Sequence, residues 1–451
     1  MPPPGPEGPA IRRPSELNLV TYPVLTLPLE ITAEIFKWCI DPGCPYPGVA
    51  PLVLTRICRQ WRALAFATPA LWDTITEIEF GYSFGLPSHP QPEAFISTWF
   101  SRAGTRPLSL GIICPDMLHS VCLELVILQH ASRFQSLDVM AGLKVLSDFN
   151  GVQPFPLLSD LTLCSLHNHE EEGPIQLFDI QGAPALRRLT LENVHPSMVI
   201  MPWAQLTNMS LTSVSLGECL NALRWATSLH EFRRHSPPDE GKESTSEDTP
   251  TPVNHSLLTS LAISTDGDAD ILPLLTLSRL QTLELGDRWR GYQRSLDIDI
   301  VPFLSRVSST VCTLKVGMSP SVPLQWLHPL TQLTALELVR SVHLPSKTDI
   351  IRALDRRTSP DFLPRLQAFV FSECRSDQVD DELLDTLGSR CDTTDAAHVT
   401  LQSFSLIWPT FDYHSDAPNA RLPLVNVLPL RALAGRGMHI HIGTRGQNNF
   451  Y

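Results

Sequence analysis

No C-x-x-C pair occurs among the ten cysteines, and the two closest, Cys39 and Cys44, have no second pair at zinc-ligand spacing. Scattered cysteines of this kind read as reduced, structural thiols in a reducing compartment. No stretch approaches the ~20 consecutive apolar residues that a membrane span needs. The opening MPPPGPEGPAIRRP has no apolar core of the sort a secretory signal requires, so the expected location is cytoplasmic or nuclear. Basic clusters are also missing: 34 Lys and Arg stand against 47 Asp and Glu, for a formal charge of −13. That balance speaks against nucleic acid and anionic membranes as partners, since both need clustered cations.

Catalytic signatures are equally scarce. There is no G-x-S-x-G elbow, no Walker loop and no G-x-G-x-x-G fingerprint. His167 and His169, followed by Glu170, Glu171 and Glu172, lack a third His or Cys at ligand spacing. His439 and His441 share a face of the last candidate strand without partners. Asp297 and Asp299 sit i, i+2 on an apparent strand, where a solvated edge explains them better than a catalytic pair flanking a cleft. The expectation is a non-catalytic protein with no cofactor and no metal; a hydrolase with an unrecognised cleft is the remote alternative.

What the chain has in abundance is proline, 40 residues in 451, together with 43% hydrophobic residues, enough for a large core and more than one structural unit. Residues 1–20 are proline-rich without periodicity and read as a disordered tail. Residues 236–256, SPPDEGKESTSEDTPTPVNHS, hold one large apolar side chain, Val253, and read as a disordered acidic insertion. Ser244 and Ser246 lie among its acids as candidate phosphorylation sites, with a plain solvated loop as the simpler reading.

Between these segments lies a stretch of helical periodicity. Pro28 is expected in the first turn of a helix opening at Leu27-Pro28-Leu29-Glu30-Ile31, with Glu30 near the positive end of its dipole. Ile31, Ile35, Phe36, Trp38 and Cys39 follow on its apolar side. After the break at 41–51, Leu54, Ile57, Cys58, Trp61, Leu64 and Ala65 predict a second helix with a 3.6-residue period. Thr68-Pro69 predicts the start of a third, with Leu71, Trp72 and Ile75 on its apolar side. Three such helices make too small a core to stand alone, and are expected to pack on the next domain or on a partner.

The string LPLEITAEIFKWCI, a proline-rich break and PLVLTRICRQWRALAFATPALWDTI together resemble an F-box, in the form common in fungal F-box families. The resemblance covers residues 26–75 and rests on the LPxEI opening, the IF pair, Ile57-Cys58-Arg59-Gln60-Trp61-Arg62 and the TPxLW ending. It implies a helical domain over 21–80 that docks on a Skp-family adaptor and through it on a cullin-based ubiquitin ligase. The docking surface and the small core together would draw on Leu27, Pro28, Leu29, Ile31, Ile35, Phe36, Leu54, Ile57, Cys58 and Trp61.

Over 81–451 an L-x-x-L-x-L unit recurs, with first residues at Leu158, Leu186, Leu211, Leu258, Leu280, Val311, Leu333, Leu366 and Leu401, and weaker copies at Phe134 and around Phe232. Each unit predicts one short strand with two residues inward and the one between them outward. The fold class is therefore α/β: an irregular leucine-rich-repeat solenoid with a curved parallel sheet, backed by helices near 220–232 and 380–387. A non-solenoid α/β domain with parallel strands is the competing architecture. The position five after the strand's first apolar residue, commonly Asn or Cys in such repeats, is Cys only at Cys219 and Cys374, so the repeats should be uneven. Outward residues on these strands, Arg188, Thr190, Glu192, Glu284, Lys315 and Glu337, are the candidate contacts for a substrate protein. A scaffold or regulatory protein using the same repeats without a ligase is the alternative function.

Overall fold

The computed structural model of the protein describes residues 26–40, 50–80, 92–115, 120–147, 154–166, 178–235, 251–263, 269–286, 300–317, 324–339, 345–372, 379–391, 399–408, 424–444 and 447–448. The tail 1–20, most of the break at 41–51, His167, His169, Glu170–Glu172, Ser244, Ser246, Asp297, Asp299 and Cys374 lie outside these residues.

The first helix, α1, spans Leu29–Trp38. Pro28 lies just before it in extended geometry (φ −51°, ψ 144°) rather than inside its first turn, and its carbonyl accepts from the Thr32 amide at 3.0 Å and the Thr32 hydroxyl at 3.1 Å. The second predicted helix is two pieces, α2 (Leu54–Ile57) and α3 (Arg59–Phe66). Cys58 is extended (φ −153°, ψ 171°) and caps α3, its Sγ accepting from the Trp61 amide at 3.4 Å. Apolar spacing continues through such a break, so periodicity alone does not reveal it. The third helix shrinks to one 3-10 turn over Pro69–Leu71, where the Thr68 hydroxyl donates to the Leu64 carbonyl instead of capping. Ile75 then belongs to the first strand, β1 (Thr74–Glu79), inside the 21–80 segment.

The small helical unit shares its core with the next helix of the chain. Trp72 is fully buried, donates from Nε1 to the Ala65 carbonyl at 2.8 Å, and stands edge-on to Trp99 of α4 (Pro92–Arg102) at 4.9 Å. The Arg102 guanidinium lies 4.6 Å from the Phe66 ring centre and 4.5 Å from that of Trp72, a cation–π contact from the neighbouring helix.

From β1 onward the chain is a mixed α/β structure built on one large parallel sheet. Its strands continue with β2 (Leu108–Cys114), β3 (Phe134–Ala141) and β4 (Asp160–Ser165), then β6 (Arg188–Glu192), β8 (Asn208–Thr212), β9 (Glu231–His235), β11 (Ser260–Ile263) and β13 (Thr282–Leu285). β14 (Thr313–Gly317), β15 (Ala335–Val339), β16 (Ala368–Ser372), β17 (Ser403–Ile407) and β18 (His439–Thr444) complete the parallel run, and β19 (Gln447–Asn448) turns back antiparallel on β18. Two short pairs lie outside it: β5 (Phe178–Asp179) with β7 (Val199–Ile200), and β10 (Val253–Asn254) with β12 (Leu275–Thr276). Between strands run α5 (Ser120–His130), α6 (Leu143–Ser147), α7 (Leu216–Trp225), α8 (Val301–Val307), α9 (Pro345–Leu354), α10 (Asp381–Cys391) and α11 (Leu424–Gly435).

Each strand of the large sheet pairs with the sheet's next strand along the chain, so equivalent side chains line up in rows. Leu163, Leu191, Leu211, Arg234, Ile263 and Leu285 succeed one another in register on the buried face. Each buried leucine in such a row contributes roughly 1.5–3 kcal/mol relative to an exposed one. Arg234 is the exception, 6% exposed, with Nη1 3.3 Å from Asp270 Oδ1.

Three sequence expectations are corrected. The unit at Leu211, Val214 and Leu216 is displaced: it is Leu206, Met209 and Leu211, all buried, with Met209 and Leu211 in β8, while Ser215 caps α7 and Leu216 is its first residue. Helix backing near 220–232 ends at Trp225, and Phe232 belongs to β9. The end of the predicted insertion is part of the fold: Val253 is buried in β10, and His255 is buried with Nε2 2.9 Å from the Ala226 carbonyl.

Gly111 marks a close approach of β2 to β1. The β1–β2 register shifts between Ile75 and Ile78, and a Cβ on Gly111 would collide with the backbone carbonyl of Thr76. Gly111→Ala should therefore cost about 1–3 kcal/mol as β1 is pushed off its neighbour. Hydrogen exchange checks it: β1 amides should lose protection in the variant while those of β14–β16 keep theirs.

Candidate functional site

Two surfaces answer to the sequence candidates. On α1, Thr32 and Phe36 turn inward, and Phe36 meets Trp61 edge-on at 4.9 Å. Ile31, Ile35 and Trp38 occupy the other side at i, i+4 and i+7, one continuous helical stripe. Their exposures are 50, 40 and 88%. Leu27 and Leu29 at the helix entry and Ile57 at the end of α2 are exposed as well.

The ten adaptor candidates thus divide. Leu27, Leu29, Ile31, Ile35 and Ile57 present apolar surface, and Pro28 is exposed beside them. Phe36 and Leu54 are core residues, Cys58 is a half-buried helix cap, and Trp61 is half-buried against the core. Trp38, nearly bare, is not one of the ten, although its spacing from Ile31 and Ile35 marks it in the sequence.

The second surface is the face of the sheet opposite the leucine rows. Arg188, Thr190 and Glu192 follow one another along β6. Glu284, Lys315 and Glu337 occupy equivalent positions on β13, β14 and β15, and Lys315 Nζ lies 3.0 Å from Glu284 Oε1. The two triplets are not brought together. Four strand steps separate β6 from β13, about 19 Å at the usual spacing.

Cations on this face have carboxylate neighbours. Arg188 pairs with Asp160 on β4, Arg233 with Glu231 at 2.7 Å, and Lys315 with Glu284. Glu337 accepts from the Ser372 hydroxyl at 2.6 Å. Near the start of the sheet the balance turns acidic. Burial first, then the charges of Glu192 and Glu77, hold the Asp138 carboxyl above its ordinary range. The Cys164 thiol is pushed up to about 12 by burial, with Glu192 and Asp138 adding to it, so it is a protonated donor rather than a nucleophile. Asp138 sits between Leu137 and Val139 in the weaker copy beginning at Phe134, which is the signal that identifies it as outward.

His439 and His441 do share the outward face of β18, in register with Ser403 and Ser405. Among the described residues, no group of three or more His, Cys, Asp or Glu is arranged to hold a metal, and no helix is long and apolar enough to cross a membrane. Compared with known proteins, the chain matches no family model and no curated protein.

Proposed function

We propose that the chain is a substrate receptor of a cullin-type ubiquitin ligase. Its F-box-like residues 26–75 dock on a Skp-family adaptor, and its leucine-rich-repeat-like sheet selects a target protein. The observation that supports this most is the apolar stripe of Ile31, Ile35 and Trp38 left at the surface of α1, within the string that resembles an F-box. A lone exposed leucine needs no explanation, but a row of large apolar side chains on one helix marks an interaction surface. The chain itself does no chemistry in this reading. It holds its target beside the charged enzyme and so raises the effective concentration of the reacting groups. The helical unit, fastened through Trp72, Trp99 and Arg102, sets a fixed distance between adaptor and target.

Calorimetry with a purified Skp-family adaptor tests this. Wild-type protein should bind, and Ile35→Asp and Trp38→Asp should each weaken binding about 30-fold or more, since loss of a central interface anchor typically costs ~2 kcal/mol. Both residues are exposed, so the variants should keep the wild-type circular dichroism spectrum. Leu54→Asp would not serve, because Leu54 is buried and its replacement attacks the core. A wild-type chain that fails to bind the adaptor at all ends the proposal.

A further inference from the structure

Thr251 and Pro252, both exposed, lead into β10. Just beyond, Val253 is buried and pairs with Leu275, and the His255 amide donates to the Thr276 carbonyl at 3.0 Å. Thr251 itself is met by Arg224, from the last turn of α7. Nη2 of Arg224 donates to both the hydroxyl and the carbonyl oxygen of Thr251, each at 2.5 Å, while Nη1 donates to Asn221 Oδ1 at 2.8 Å. Among the described residues no carboxylate is paired with this guanidinium. It is a cation spent on neutral oxygens.

We infer that Thr251 is a phosphorylation site whose phosphate is received by Arg224, tightening the backbone that leads into β10. The proposal is independent of the ligase reading. A proline after the hydroxyl residue holds that residue extended, the shape a proline-directed kinase takes into its cleft. In the transfer, the γ-phosphoryl group of ATP forms a bond to Thr251 Oγ1 as its bond to the β–γ bridging oxygen breaks. ADP leaves, and the hydroxyl proton passes to the kinase's base. The product carries about −1.5 to −2 charges beside a fixed guanidinium, so a neutral contact becomes a charge-assisted pair that Arg can make in two-pronged form. The carbonyl end of α7 disfavours an anion on its own, which makes Arg224 the group on which the effect depends. Because Oγ1 sits against Arg224, the kinase must take Thr251 in the released state. Arg224 therefore slows the modification and stabilises its product.

The test uses the full chain carrying Thr249→Val, which removes the neighbouring Thr-Pro, with a proline-directed Ser/Thr kinase and ATP. Peptide mass spectrometry follows phosphate on Thr251, and hydrogen exchange follows the His255 amide. Arg224→Ala should accelerate phosphate incorporation. Phosphorylation should slow His255 exchange about tenfold with Arg224 present and leave it unchanged in Arg224→Ala, with Arg224→Lys recovering part. Absence of phosphate on Thr251 in both proteins overturns the site. Equal protection in both overturns the role of Arg224.

Discussion

Replacing Arg390 with methionine should lower the stability of the protein by about 3–5 kcal/mol, because several buried carbonyls lose a charged donor at once. Arg390 is 1% exposed on α10 and carries three carbonyls at once: Nε donates to Leu354 at 2.5 Å, Nη1 to Leu363 at 3.0 Å and Nη2 to Phe362 at 2.6 Å. Leu354 ends α9, and Leu363 stands at φ 45°, a conformation costly for a branched side chain. The guanidinium therefore ties α10 to the end of α9 and to the strained turn before β16. Burial, and then the nearby Arg356, push its pKa down to about 10, with Asp355 opposing; at neutral pH it remains a cation. Methionine fills much of the volume but strips the guanidinium from three buried carbonyls, of which only Leu363 keeps another donor, the Leu366 amide at 3.2 Å; each orphaned acceptor is worth roughly 1–3 kcal/mol, not additively. Arg390→Lys should recover only a fraction, because one ammonium cannot span three carbonyls. Urea unfolding reads the loss, and a midpoint within error of wild type for Arg390→Met would remove Arg390 from its place as the fastening.

The second large effect is a pH dependence set by His130. The residue is 6% exposed, its ring edge-on to Phe100 at 5.3 Å and to Phe134 at 6.2 Å, and among the described residues its Nε2 has no hydrogen-bond partner. Burial, reinforced by the charge of Arg133, lowers its pKa from 6.5 to about 4. Above pH 6.5 the ring is neutral in folded and unfolded chains alike, and no stability is lost. Below it the unfolded chain takes up a proton that the folded chain refuses. Stability then falls with decreasing pH by up to ~1.4 kcal/mol per unit, levelling off near pH 4 after a loss of about 3 kcal/mol. His130→Phe keeps the aromatic contacts and removes the titration, so the stability of the variant should fall less steeply between pH 6.5 and 4. Parallel profiles for the two proteins would assign the acid sensitivity to other groups.

The parallel sheet was legible because its signal is local and repeated: two apolar residues flanking one outward residue, copied from Leu161 to Leu406. The displaced unit at Leu211 shows the limit of that signal. Leu206, Met209 and Leu211 give the true unit, with β8 over its last two, but methionine weakened the match, and the overlapping Leu211, Val214 and Leu216 fit the pattern equally well. Whether Ser215 caps a helix or interrupts a strand depends on its tertiary surroundings, which spacing does not encode. Cys58 tells the same story at the helical unit, where a thiol capping the Trp61 amide is no part of the usual Ser, Thr, Asp and Asn signal. The candidate surfaces were legible in kind and blurred in detail. Alternation placed Arg188, Glu284 and Lys315 outward, yet which cation meets which carboxylate depends on strand order and register. Likewise, apolar spacing could not separate Phe36 and Leu54, which fill the core, from Ile35 and Trp38, which do not.

The reversal at Gln447–Asn448 has a consequence for how copies of this protein treat one another. A row of strands that all run the same way offers, at its last member, open amides and carbonyls on which a foreign extended segment can template itself. Here a two-residue strand of opposite direction covers part of that ledge on β18, so growth in the same sense is interrupted. Self-association by end-to-end sheet extension is thus blunted at the carboxyl-terminal margin, at the expense of only one short hairpin.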